Sequence, residues 1–166
     1  MIRLQDTSLF KGLDSDTAAA IAGTFLASGV DAGEVVFRQG QEGNALVVVV
    51  DGLFELVRDG AEGQEIHLAD IQPGRVLGLP SLVDPGPRTA TLRALEDGGV
   101  AILDLDTFTK LWDAQGDVAA KLHYQVAVIA IDELRSAHRK LMDTLATPLD
   151  APPLLRKLVY EASIYS

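Results

Sequence analysis

The sequence contains no cysteine, which excludes disulfides, thiolate metal sites and thiol nucleophiles and suits a reducing compartment. Long apolar runs are missing too. The longest strictly aliphatic stretch, Ala45 to Val50, is about a third of the roughly 20 residues needed to cross a bilayer. The segment from Met1 to Thr7 carries no apolar signal core. A soluble, cytoplasmic protein without membrane contact is therefore expected. Basic charge is scarce: 14 Lys and Arg stand against 24 Asp and Glu, giving a net charge of −10. Such a chain does not grip nucleic acid through bulk charge, so no direct nucleic-acid binding is expected. Aromatic residues make up 5 % of the chain, and Trp112 and the phenylalanines are read as core rather than as a base-stacking platform.

Catalytic patterns are equally thin. His67, His123 and His138 are far apart, without the closely spaced histidines and acids that a cupin-type metal enzyme uses, so no metal site is predicted. Asp104 and Asp106 lie two residues apart at a strand end, where acids generally cap the next helix or face solvent. No nucleophile elbow, phosphate-binding P-loop or Ser-His-Asp arrangement occurs. The chain is not read as an enzyme.

What is present is a regular sequence of turns. Asp31-Ala32-Gly33, Gln39-Gly40, Asp51-Gly52, Asp59-Gly60, Pro73-Gly74, Pro85-Gly86-Pro87 and Gly98-Gly99 separate short β-branched or apolar runs. These runs predict strands at Glu34–Phe37, Leu46–Val50, Leu53–Arg58, Glu65–Ile71, Thr89–Leu95 and Val100–Leu105. Val47 to Val50 lacks polar alternation and should be central. Asp51-Gly52 and Asp59-Gly60 read as tight hairpin connections. The class is mainly β with flanking helices, a sandwich or barrel.

Helices are predicted at Asp14–Ala27, capped by Asp14 or Ser15, at Asp106–Ala114, capped by Asp106, and at Asp117–Ala146, stopped by Pro148. The last is about 45 Å long at 1.5 Å per residue. One stripe on it, Val118, Leu122, Val126 and Ile129, suits packing on the β region. A second, Tyr124, Ala127, Ile131, Leu134, His138, Leu141 and Leu145, steps alternately by three and four and predicts a parallel homodimer seam. The domain plan is a β-roll with an N-terminal helix over 1–116, a long helix of the same domain over 117–147, and a tail over 148–166. That tail is too short for a DNA-binding domain, so output would pass through a protein partner.

The order of landmarks resembles the cyclic nucleotide-binding domain of catabolite-activator-type regulators, cyclic-nucleotide-dependent kinase regulatory subunits and gated channels. The resemblance spans roughly Ser8 to Ala146. It runs through Ser8-Leu9-Phe10-Lys11-Gly12-Leu13, Gly33 to Gly40, Val50-Asp51-Gly52, Pro73-Gly74, Gly78 and Arg88-Thr89-Ala90, and it ends in the long helix. It implies a double-stranded β-helix, the jelly-roll or β-roll, followed by a dimerisation helix. The implied ligand is cAMP or cGMP, or another small phosphate-bearing anion, with no cofactor or metal. By position, Gly78 to Ala90 match the family's phosphate-binding cassette, a short helix whose N-terminal amides join an arginine on the cyclic phosphate. Arg88 would be the phosphate ligand, Thr89 and Ala90 further donors and Gly78 the close-approach glycine. Read without the family, Arg88 pairs with a local acid such as Asp84.

One departure stands out. The family's cassette has a glutamate on the ribose 2′-hydroxyl, and this sequence has Leu79. Losing a hydrogen bond to a charged group costs about 1.5–3 kcal/mol, roughly 10- to 150-fold in affinity. Ser81 and Leu82 are the remaining sugar-side contacts, and Glu133 falls where the family's long helix meets the purine. The leading expectation is a stand-alone sensory module whose ligand shifts the C-terminal helix. The alternative is a degenerate dimeric scaffold that keeps the fold, binds no nucleotide and engages a protein partner.

Overall fold

A computed structural model of the chain describes residues 1–113 and 116–146, the last two as backbone only. Leu145 of the predicted seam and the predicted tail over 148–166 lie outside the side chains so described. Two single 3-10 turns, Leu4–Asp6 and Ser8–Phe10, bury Leu9 and Phe10 and lead into α1, Ser15–Ala22. Of the two residues considered for its cap, Asp14 is the one used: its carboxylate accepts from the Thr17 amide at 2.8 Å.

The helix is shorter than the sequence pattern predicts. It closes at Gly23, whose amide donates to Ala19, and the Thr24 hydroxyl then donates to the Ile21 carbonyl at 2.7 Å. Leu26, which falls inside the predicted helix Asp14–Ala27, instead opens β1, Leu26–Val30, and is 70 % exposed. Pairing with a neighbouring strand outweighs the local period there.

The strands that follow are β2 Val35–Phe37, β3 Glu42–Gly43, β4 Ala45–Asp51, β5 Phe54–Asp59, β6 Glu65–Ile71, β7 Val76–Leu77, β8 Gly86–Pro87, β9 Thr91–Ala94 and β10 Gly98–Asp104. One antiparallel sheet has the order β1-β10-β4-β7, a second β2-β9-β5-β6, and β3 pairs with β8 in a short separate ladder. β4 is interior, as its unbroken Val47–Val50 run requires. Inward side chains of both sheets meet in one core: Val30, Phe37, Val47, Val49, Phe54, Ile71, Leu92, Ala94 and Val100. This two-sheet roll with a long C-terminal helix is the expected jelly-roll.

Two turn assignments change. Asp51-Gly52 does not close a hairpin, because β4 and β5 belong to different sheets; the turn carries the chain across the roll. Asp59-Gly60 does open the β5–β6 hairpin, but as a longer loop in which the Gly60 amide donates to Gln64 and Gly63 supplies the positive φ.

α2 spans Leu105–Asp113 and α3 Asp117–Ala146. The cap of α2 is Asp104, which accepts from the Thr107 amide at 2.7 Å, whereas Asp106 pairs with Lys110 on the helix surface. On α3, Leu122 and Val126 of the stripe predicted to pack on the domain are buried, Val118 and Ile129 of it are half-buried, and Ala119 is buried as well. Lys121 reaches Asp14 at 2.9 Å and the Gln125 amide donates to the Lys11 carbonyl at 2.8 Å, fixing α3 to the N-terminal segment. A first compact unit ends at Ala127, within α3, and a second begins at Val128. Among the described residues no helix is long and apolar enough to cross a membrane, and no cluster of His, Asp and Glu could hold a metal.

Candidate functional site

The segment between β7 and β9 is built around a sharp backbone reversal. Gly78 sits in the left-handed region at φ 72°, where a side chain is strained. From it rises a 3-10 turn, Leu79–Leu82. The expected helix start with several free amides is not what forms. The Ser81 amide donates to the Gly78 carbonyl at 3.0 Å, and the Val83 and Asp84 amides donate to Pro80 at 3.0 and 2.8 Å. A four-residue turn with its amides so engaged offers little dipole to an anion. The cationic side chain of this segment is that of Arg88.

Arg88 is held by its own backbone on the β3–β8 ladder. Its amide donates to the Gln41 carbonyl and its carbonyl accepts from Gly40, both at 2.8 Å. The side chain then turns inward. Nη2 donates to the Ala45 carbonyl at 2.6 Å and Nη1 to the Ser81 hydroxyl at 3.2 Å, while the guanidinium carbon lies 4.5 Å from the centre of the Phe37 ring. Nε is buried and has no partner.

The ion pair with Asp84 that the sequence alone allows does not form: the bonds of Arg88 go to neutral oxygens. Burial pushes its pKa below the ordinary arginine value, with no acid raising it. The guanidinium remains a cation, half-buried and without a counter-charge among the described residues. An unpaired charge in such a place is costly, and an anion is what would relieve it.

Two glycines make the space. A Cβ on Gly78 would overlap Arg88 Nη1 and come within 2.9 Å of the Ala45 carbonyl oxygen. A Cβ on Gly43 would lie 2.6 Å from Ser81 Oγ and 3.0 Å from Arg88 Nε. The first was legible in the sequence. Gly43 was not, nor were Phe37 and the Ala45 carbonyl, because a ring under a guanidinium and a carbonyl across a turn carry no local pattern.

The remaining predicted residues fall as follows. Thr89 is exposed and Ala90 is 4 % exposed. Neither of their amides has an acceptor among the described residues. Ser81 is 8 % exposed and joins Arg88, while Leu82 is 3 % exposed on the packed side of the turn. Leu79, at 1 % exposure, is core. Glu133 lies on α3 in the second compact unit and is exposed, as are Tyr124, Ala127, Ile131, Leu134 and Leu141; His138 is half-buried.

Residues 29–115, spanning both sheets and the Gly78–Ala90 segment, match the model of the cyclic nucleotide-binding domain. The chain belongs to that family.

Within it, the chain is 25 % identical over 93 % of its length to a CRP-like cAMP-activated global transcriptional regulator of Mycobacterium tuberculosis, and covers 66 % of that protein. A solved structure of the N-terminal domain of a transcriptional regulator from Streptomyces coelicolor is 31 % identical, with a TM-score of 0.69 over 81 % of this chain and 93 % of that one. The Thermus thermophilus catabolite activator protein is 30 % identical with a TM-score of 0.74, over 84 % of this chain and 63 % of that one. The chain thus spans somewhat under two thirds of the full-length regulators it matches. It is a regulatory cyclic nucleotide-binding-type domain, as the Ser8–Ala146 resemblance implied.

Proposed function

We propose that this domain binds a cyclic nucleotide, with cAMP or cGMP as the ligand class and the phosphate on Arg88. The observation that carries this reading is the half-buried guanidinium of Arg88, which bonds neutral oxygens and faces no carboxylate. A planar fork of donors suits two phosphate oxygens. The unengaged amides of Thr89 and Ala90, directly after it, supply further donors. The Mycobacterium tuberculosis relative, described as cAMP-activated, supports the same ligand class.

Output follows from α3. Its buried face is fixed to the ligand-binding unit through Leu122, Val126 and the Lys121–Asp14 pair, so a ligand that reorganises the cassette biases the position of the helix. The exposed apolar stripe of α3 carries the signal to a second copy of the chain, and a protein partner reads the dimer in the cytoplasm. The protein does no catalysis.

The test is thermal unfolding with cAMP or cGMP at about 1 mM, since a ligand at 100 times its dissociation constant adds roughly 2.7 kcal/mol. An upward shift of several degrees with either, absent in Arg88→Ala, is the expected result. No shift with either nucleotide overturns the binding reading and leaves the dimeric scaffold.

A further inference from the structure

We propose that the α3 seam is gated by pH through His138, whose imidazole meets its own counterpart when two copies of the chain pair and drives them apart when it takes up a proton. The proposal rests on the reading of the α3 stripe as the contact with a second copy. Tyr124, Ala127, Ile131, Leu134, His138 and Leu141 step alternately by three and four, so His138 falls in the row that faces the two-fold axis of a parallel pair. Leu134 and Leu141, one turn before and one turn after it, are 71 and 54 % exposed, and His138 itself is half-buried. Imidazole is the side chain of that row that changes charge between pH 5 and 8.

The surroundings decide what that charge does. A helical side chain meets the residues three and four positions away, which for His138 are Leu134, Arg135, Leu141 and Met142. Arg139 and Asp132 complete the shallow cleft around it, and the Asp132 carboxylate lies 3.9 Å from Arg135. Glu133 and Asp143 are five positions to either side, about 140° around the helix at 3.6 residues per turn. In a parallel pair the hole that receives His138 is built from Leu134, Ala137, His138 and Leu141 of the second copy, and its titratable member is the other imidazole. Among the described residues, then, no carboxylate stands ready to hold an imidazolium at this place, and Arg135 and Arg139 oppose one.

A neutral imidazole has one N–H donor and one bare nitrogen, so two that face each other share a hydrogen bond across the axis. Two protonated rings have donors only, and they set like charges against each other in an apolar interface. Association therefore excludes protons and dissociation takes them up. The penalty on the dimer is absent above the imidazole range and grows as the pH falls through it. Bulk charge works in the opposite direction: at a net charge of −10 two copies repel, and acid relieves that repulsion. Weakening in acid is thus a report from the seam. The other two histidines, His67 and His123, belong to the first compact unit and lie outside the seam.

The experiment measures the dimer dissociation constant of the full chain by sedimentation equilibrium near pH 8 and near pH 5.5 at one ionic strength. The wild type is expected to dissociate roughly 10- to 100-fold more readily in acid, as one or both imidazoles must give up a proton to pair. His138→Leu is expected to pair at least as tightly as the wild type at the higher pH and to weaken by no more than about 3-fold in acid. His138→Lys, a fixed cation at the same place, is expected to pair weakly at both. A wild-type dimer of equal strength at the two pH values overturns the proposal, and so does acid weakening that survives in His138→Leu. A wild type that is monomeric at both overturns the dimer reading itself.

Discussion

Gly78 and Arg88 occupy adjoining space: a single carbon added to Gly78 would overlap the guanidinium and press on the Ala45 carbonyl to which it is bonded. The glycine is also held at φ 72°, so Gly78→Ala carries two penalties. The left-handed backbone alone costs about 1–2 kcal/mol, and the arginine must leave its seat. The expected outcome is a urea midpoint lowered by an equivalent amount, together with loss of nucleotide-induced stabilisation. Equal stability and equal ligand response in the variant would mean that the close approach has no functional weight.

Leu79 gives a sharper expectation. The family's glutamate stands at this place by resemblance, yet here the side chain is 1 % exposed and belongs to the core. Leu79→Glu therefore does not restore a sugar contact. It buries a carboxyl without a partner and removes packed methyl groups, at a cost of about 2 kcal/mol or more. A fall in thermal stability with no gain in cAMP affinity is expected. With a buried leucine in place of a carboxylate here, cAMP and 2′-deoxy-cAMP should bind within about 3-fold of each other, against the 10-fold or more that a charged hydrogen bond supplies. Competition titration checks it, and a strong preference for the ribose form would show that another group reads the hydroxyl.

Much of this was legible in the sequence, for identifiable reasons. The turn glycines and the uninterrupted Val47–Val50 run gave the strands because backbone geometry and two-sided burial are local demands. Asp117–Ala146 gave α3 because nothing in it breaks the period. β1 was misread because Leu26 continues the helical spacing of Ile21 and Ala22, while the pairing with β10 that decides its state is made about 70 residues away. Asp51-Gly52 was misread as a hairpin because a turn's residues report its shape, not which sheet the next strand joins. In the candidate site, Arg88 and Gly78 were singled out through the cassette order. Whether Arg88 faced an acid or a carbonyl depended on Ala45 and Phe37, which no spacing rule connects to it.

Acid sensitivity should centre on Asp14. The Thr17 amide, then Lys121, then the Thr17 hydroxyl hold its carboxyl well below the usual carboxylate range. A folded-state pKa below the unfolded one means a contribution that is complete above the unfolded value, near 3.9, and is lost as the pH falls further toward the folded value. Asp14→Ala should therefore be less stable than the wild type at pH 7, with the gap narrowing as the pH drops below about 4. Unfolding temperatures of both proteins from pH 7 to pH 3 measure this. A gap independent of pH would assign the effect to helix propensity rather than to the carboxylate.

The exposed stripe of α3 is the remaining claim with a clean readout. Tyr124, Ile131, Leu134 and Leu141 are 67, 47, 71 and 54 % exposed in the single chain, and they recur at heptad spacing. Large apolar side chains left in water at that regularity are best explained by a second copy of the same helix. Charges introduced at two successive seam positions would face like charges across the symmetry axis and be desolvated there, an arrangement a dimer of this size does not survive. Leu134→Glu combined with Leu141→Glu should therefore run as a monomer on sizing chromatography at a concentration where the wild type runs as a dimer. The same variant should keep the unfolding midpoint of the β-roll, because both residues lie in the second compact unit, beyond Ala127. A double variant that still elutes as a dimer would place the interface on some other face of the molecule.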